Sequence, residues 1–270
     1  MRISLIVLMS ALTISCVKSN KSDSNNSYLG RSFAKFHNDF EPSGIVFDES
    51  IGSFVVASDE GEISLVSENG NISKSWDIGG DLEGLAVVPG KEKTLYILEE
   101  KDDEILEFSY ETGKVERVFE LSGIKGIRDG IHGEALTFVP EDSAPNKGYF
   151  AVGSQRNGKI YFVDLPVFSQ GETEGENKGE IIISEKDEDL SGLFYDDASR
   201  LIYGVFDRED RLFVFDPVSF KVIENVKLTG RNQEGIYIKD CMVYIAEDSK
   251  EEVVTLRYLE LGLKTPCHKK

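Results

Sequence analysis

The chain has 270 residues, with 49 acids against 30 bases and a formal net charge of −19. Such a charge repels nucleic acid and sets that class of partner aside, while the length suffices for one large all-β domain. Otherwise the acidic balance describes a solvated surface, and cation binding is the charge-driven function it favours.

The N-terminus reads as a targeting signal. Arg2 is a one-residue basic region, and Ile3 to Leu12 is an apolar run too short to span a bilayer. It ends in Thr13-Ile14-Ser15-Cys16, a small residue before a cysteine, which looks like a lipoprotein signal. The expectation is a signal peptide over 1–15, lipidation on Cys16 and a flexible tether over 16–29, where Val17 to Ser27 is polar and aperiodic. An ordinary secretory peptide with a chance cysteine is the alternative. Either way the mature protein is exported. With lipid it would sit on a bacterial membrane in the cell envelope, on the periplasmic face or the outer surface.

From residue 30 to 263 the chain reads as one domain, followed by a tail over 264–270. Ser32 to Phe36 alternates polar and apolar and predicts a single strand. Five similar lead-ins then follow: Glu41-Pro42-Ser43-Gly44, Asp81-Leu82-Glu83-Gly84, His132-Gly133-Glu134-Ala135, Asp189-Leu190-Ser191-Gly192 and Asn232-Gln233-Glu234-Gly235. Their third positions are separated by 40, 51, 57 and 43 residues. Each opens an apolar run, then a turn, then a second run ending in acids: Asp59-Glu60, Glu99-Glu100, Asp207 and Glu247-Asp248, with Ser154-Gln155 in the third repeat. Two further short runs complete the unit. Runs rich in Val, Ile, Phe and Tyr, bounded by pairs such as Asn69-Gly70 and Thr112-Gly113, are strand and hairpin chemistry.

Four strands repeated at this period predict an all-β β-propeller of five four-stranded blades. A sixth, degenerate blade within residues 121–185 is the alternative. Three insertions stand out: Gly123 to Ile131, Glu141 to Lys147 and Ser169 to Glu180, the last read as a solvated loop. Trp76 is expected in the core. The fifth repeat lacks a clear fourth strand, with Tyr258 to Leu263 only a weak candidate. An open ring would expose unpaired edges, so Phe33 to Phe36 is expected to close the last blade. Cys241 and Cys267 either pair, pinning the tail, or remain free thiols.

The innermost strand of each blade lines a propeller's channel, which should bring Glu83, Glu134 and Glu234 together at one rim with Asp81, Asp189 and Glu41 beside them. Carboxylates pointing at one axis raise each other's pKa or are joined by a cation. Ca²⁺ accepts such an oxygen set, and there is no Cys/His set for Zn²⁺. Capping of each blade by its own glutamate is the alternative. The acids after the second strands belong at the same end of the channel if the second strand's end is offset, or on a different surface if adjacent antiparallel strands end at opposite rims.

The lead-ins of the second, fourth and fifth repeats and the pairs Glu99-Glu100 and Glu247-Asp248 resemble the SdiA-regulated, or YjiK-like, family of exported bacterial propellers, over about residues 38 to 260. Ala135 and Ser154-Gln155 depart from its pattern. The resemblance implies a propeller associated with calcium, as in phytase-like members. Two functions follow as expectations. One is a lipid-anchored monomer that binds Ca²⁺ near its axis and presents a rim to a small ligand or an envelope protein. The other is a Ca²⁺-dependent phosphoesterase or lactonase-like hydrolase. There His132 would move protons as the catalytic residue, and Arg128, Arg156, Arg208 and Arg231 would bind an anionic substrate.

Overall fold

The computed structural model describes residues 30–268 apart from 128–129, 142–143, 185–188, 231 and 249–250. The expected signal peptide, Cys16 and the expected tether therefore lie outside the described residues, as do Arg128 and Arg231.

Twenty strands form five four-stranded antiparallel sheets among the described residues. After β1 (Arg31–Lys35), the first sheet is β2 (Pro42–Asp48), β3 (Ser53–Ser58), β4 (Glu62–Val66) and β5 (Ile72–Asp77). The second is β6 (Leu82–Ala86), β7 (Thr94–Glu99), β8 (Glu104–Ser109) and β9 (Lys114–Glu120). The third comprises β10 (Gly133–Glu141), β11 (Ala144–Ser154), β12 (Lys159–Asp164) and β13 (Glu176–Ile182), and the fourth β14 (Leu190–Asp196), β15 (Leu201–Phe206), β16 (Arg211–Asp216) and β17 (Lys221–Lys227). The last holds β18 (Gln233–Lys239), β19 (Met242–Glu247) and β20 (Glu252–Arg257), with β1 as its outermost strand. The leading strands β2, β6, β10, β14 and β18 touch in turn, and β18 touches β2 again, closing a ring. The chain is a five-bladed β-propeller. No sixth blade forms among the described residues.

Ring closure follows the expectation. β1 pairs antiparallel with β20, from Arg31 opposite Thr255 to Lys35 opposite Glu252. Phe33 packs edge-on against Phe54 of the first blade and Tyr244 of the last, at 5.2 and 5.1 Å between ring centres. One strand thus covers an edge and fills the seam between the first and last blades. Cys241, in the β18–β19 turn, is disulfide-bonded to Cys267. The Glu224 carboxylate accepts the backbone N–H groups of Lys264 and Thr265, so the tail is held to two blades.

Three local expectations need correction. The last five residues of the segment over 169–180 belong to strand β13, whose burial alternates between exposed and half-buried. An outer strand needs only ladder hydrogen bonds and one sparsely covered face, so its polar sequence hid it. Tyr258–Leu261 is a 3-10 turn rather than a strand, because β1 already occupies that edge. Trp76, expected in the core, stands on β5 and is only half-buried, against Phe108 at 5.3 Å.

The glycines of the lead-ins are explained by the ring. A Cβ at Gly84 would stand 2.2 Å from the Leu136 backbone nitrogen on the next blade, and one at Gly235 would stand 2.5 Å from the Ser43 carbonyl oxygen. Inner strands meet there at backbone contact, which only glycine permits. Ala135 fits in the third repeat because Gly153 on β11 lacks the Cβ that would sit 2.8 Å from its own.

Candidate cation site at the channel rim

One backbone hydrogen bond recurs in every blade and builds the site. The carbonyl at the first position of each lead-in accepts the N–H of a residue just after the second strand. The five pairs are Glu41 with Asp59, Asp81 with Glu100, His132 with Gln155, Asp189 with Asp207 and Asn232 with Asp248, at 3.0–3.3 Å. A leading strand starts at the rim where its antiparallel partner ends. The acids after the second strands therefore join the lead-in acids at one mouth of the channel, which selects the same-end reading and overturns the opposite-rim argument. His132 and Asn232 reach this geometry with left-handed backbones, φ 49° and 53°.

The result is a cavity of about 290 Å³ whose lining includes Glu83, Glu134 and Glu234, with Asp81 and Asp189 beside them. With Glu41, the six expected carboxylates thus share one basin. Asp59, Glu100 and Asp248 join them. Two triplets offer carboxylate oxygens within 4.8 Å of one another: Asp81, Glu83 and Glu100, and Glu41, Asp59 and Glu60. Either cluster could hold a metal ion. Glu134 and Glu234 face the same cavity but belong to neither triplet, so the tightest set around Glu83 comes from its own blade.

The third position carries two chemistries. The Ser43 hydroxyl donates to the Leu82 carbonyl and the Ser191 hydroxyl to the Gln233 carbonyl, each on the next blade. Glutamates at the equivalent positions point into the basin instead. Glu134 accepts a hydrogen bond from Gln155 Nε2. Glu83 is only 8 % exposed, and its carboxylate has no hydrogen-bond or ion-pair partner among the described residues. Capping of its blade is therefore not what Glu83 does. That task belongs to Glu99, whose carboxylate accepts the N–H groups of Asp81 and Asp102 at 3.2 and 2.7 Å.

The electrostatics follow from burial and like charge. Burial, then the nearby Glu134 and Glu234, push the Glu83 carboxyl well above its ordinary value. Burial, then Asp189, Glu234 and Glu100, raise Glu134 to about 9. Burial, then Asp207 and Asp189, raise Glu234 to about 8. Burial and a hydrogen bond with Glu41 bring Asp59 to about 7. Asp81, Glu100 and Asp189 are also raised, with burial first in each case.

Cations stand at the edge. Arg156 Nη1 lies 2.9 Å from His132 Nε2, and Arg208 Nε lies 3.3 Å from Asp189 Oδ2. With Gln155 where other blades carry an acid, the third blade forms the least acidic sector of the rim.

No family model matches the chain. No curated protein matches it either. Solved structures do share its architecture. A glutaminyl cyclase from Myxococcus xanthus is 14 % identical with a TM-score of 0.62, over 83 % of this chain and 93 % of that one. A hydrazine synthase chain from Kuenenia stuttgartiensis is 12 % identical with a TM-score of 0.50, over 82 % of this chain and 58 % of that one. A virginiamycin B lyase from Staphylococcus aureus is 12 % identical with a TM-score of 0.49, over 82 % and 67 %. At these identities the likeness to the first two concerns the fold alone.

Proposed function

We propose that the protein is a lipid-anchored propeller of the cell envelope, of the SdiA-regulated kind, that binds Ca²⁺ in the axial basin and offers its rim to a ligand or partner. The observation that carries the cation reading is Glu83. A buried carboxylate without a partner, facing other carboxylates, is costly unless protonated or joined by a cation. Asp81, Glu83 and Glu100 would hold the ion, and Glu134 and Glu234 would complete its surroundings. An all-oxygen donor set in a roomy basin suits Ca²⁺, and the basin lining holds neither cysteine nor histidine. The disulfide supports an oxidising compartment. The sequence before residue 30 supports export and lipidation, and labelling with a fatty-acid analogue tests both. Label equal in wild type and Cys16→Ser would remove the anchor.

The cation test is thermal unfolding of wild type and Glu83→Gln, each with Ca²⁺ and with chelator. An ion bound only by the folded state adds about 2.7 kcal/mol at 100 times its dissociation constant. Wild type should gain this, and the variant should lose most of it. A wild-type melting temperature indifferent to both additions would end the proposal.

A hydrolytic reading has one observation in its favour, the His132–Arg156 pair beside the basin. Ca²⁺ would supply Lewis acidity there, and Arg156 and Arg208 would attract an anionic substrate. Turnover of a generic phosphate ester or lactone, dependent on Ca²⁺ and lost in Arg156→Gln, would select this reading.

A further inference from the structure

The opposite mouth of the channel holds a second and larger cavity, of about 690 Å³. The two cavities are separated by the glycine waist: the acidic basin is lined by residues up to Ser43 and Glu83, the second cavity by residues from Ile45 and Leu85 onward. Its size falls within the usual range for small-molecule sites. Its wall is apolar and aromatic, with Phe47, Leu85, Phe138, Leu193, Phe194 and Tyr237 all contributing from leading strands. Phe194 and Tyr237 meet edge to face at 4.6 Å between ring centres. These side chains come from rigid strands of all five blades, so the wall is pre-formed.

The polar groups of this cavity have one dominant sign. Asp48, Glu49, Glu92, Glu141, Asp196 and Asp197 face Lys91 and Arg200. Lys91 is turned toward the Glu107 carboxylate at 3.7 Å and the Phe168 ring at 5.5 Å. Asp48 and Asp196 are fixed by turns, with Asp48 Oδ1 accepting the Ser50 N–H at 2.8 Å and Asp196 Oδ2 the Ser199 N–H at 3.1 Å. Tyr237 sits among these acids. Burial, then Glu49, Asp196 and Asp48, push its phenol upward. The fold already places an ammonium on an aromatic face nearby, where Lys239 Nζ lies 4.0 Å from the Phe47 ring centre.

We propose that this second cavity binds an organic ammonium cation with an apolar body, seated against Phe138, Phe194 and Tyr237 with its charge toward Glu49, Asp196 and Asp197. Aromatic walls attract a cation through the ring quadrupole, and the apolar body replaces water on the wall. An acidic lip rejects carboxylates and phosphates of the same shape. The site stands on residues separate from the acidic basin and is independent of the Ca²⁺ reading.

Three molecules of one shape test it: 4-phenylbutylamine as cation, 4-phenylbutanol as neutral analogue and 4-phenylbutyrate as anion. Each is titrated calorimetrically into the folded protein with Ca²⁺ present and with chelator. The amine should bind saturably, at least tenfold tighter than the alcohol, and the carboxylate should not bind. Val87→Trp, at the lip, should abolish amine binding by filling the cavity. Asp197→Asn, on an exposed residue, should weaken the amine several-fold and leave the alcohol unchanged, so a misfolded Val87→Trp would not spare the proposal. Equal affinities for amine and alcohol would overturn it, as would amine binding that Ca²⁺ displaces or no binding at millimolar amine.

Discussion

Replacing Glu234 with glutamine in cation-free protein should make the fold more stable at neutral pH and less sensitive to pH. The folded carboxyl titrates at about 8 against an ordinary value of 4.5. Below 4.5 both folded and unfolded chains hold the proton and the group is neutral to stability. Between 4.5 and 8 only the folded chain holds it, so each rise in pH costs stability. Above 8 the folded carboxylate is also ionised and the penalty is complete. At about 1.4 kcal/mol per pH unit, the interval from 4.5 to pH 7 amounts to roughly 3 kcal/mol. Asp207 and Asp189 share the proton's effect, and a half-buried amide carries its own desolvation cost. The expected gain for Glu234→Gln at pH 7 is therefore about 1–3 kcal/mol, or roughly 2–10 °C in Tm for a domain of this size. Urea unfolding at pH 5 to 9 with chelator measures it. Wild-type stability should fall steadily from pH 5 to 8, and the variant should fall less steeply. A wild-type profile that is level or rising over that range, or a variant curve parallel to it, would refute the argument. Saturating Ca²⁺ should flatten the wild-type profile, because the ion replaces the protons that the basin otherwise retains.

Three further outcomes follow from the fold. Cys267→Ser opens a bridge between residues 26 apart and should cost about 3 kcal/mol in denaturant unfolding. Deleting residues 17–27 should leave stability unchanged, whereas deletion through Phe36 bares the β20 edge and should give aggregates by size-exclusion chromatography. Gly84→Ala drives a Cβ to 2.2 Å from the Leu136 nitrogen and should cost roughly 1–3 kcal/mol. Gly123→Ala, with nothing within 4 Å, is the matched control and should be near neutral.

The lead-ins made the blade count legible because each encodes a physical necessity. A small residue is required at the waist, and an apolar strand must follow it. The basin was legible through Glu83, Glu134 and Glu234 for the same reason. Asp59, Glu100 and Asp248 were equally visible but were left between that mouth and another surface by a wrong argument about strand ends. The recurring bond from first-position carbonyl to the residue after the second strand corrects it. Serine and glutamate at one aligned position could not be told apart in role from sequence, since one ties blades and the other faces the axis. Strand β13 was hidden by its polar outer position. The second cavity had no motif at all, because its walls are ordinary core residues of five separate strands that only the ring brings together.

Assigning β1 to the last blade governs how the molecule can be made. Thr255 Oγ1 donates to the Arg31 carbonyl across 224 residues of chain. During synthesis the first strand to emerge waits for the last sheet to be completed, and four blades can form before their ring has any reason to close. Such long-range pairing makes final folding slow relative to local hairpin formation. It also makes completion a checkpoint: a chain broken or terminated before β20 leaves β1 without a partner and the Phe33 seam unfilled. Partial products should be open, adhesive and easily degraded.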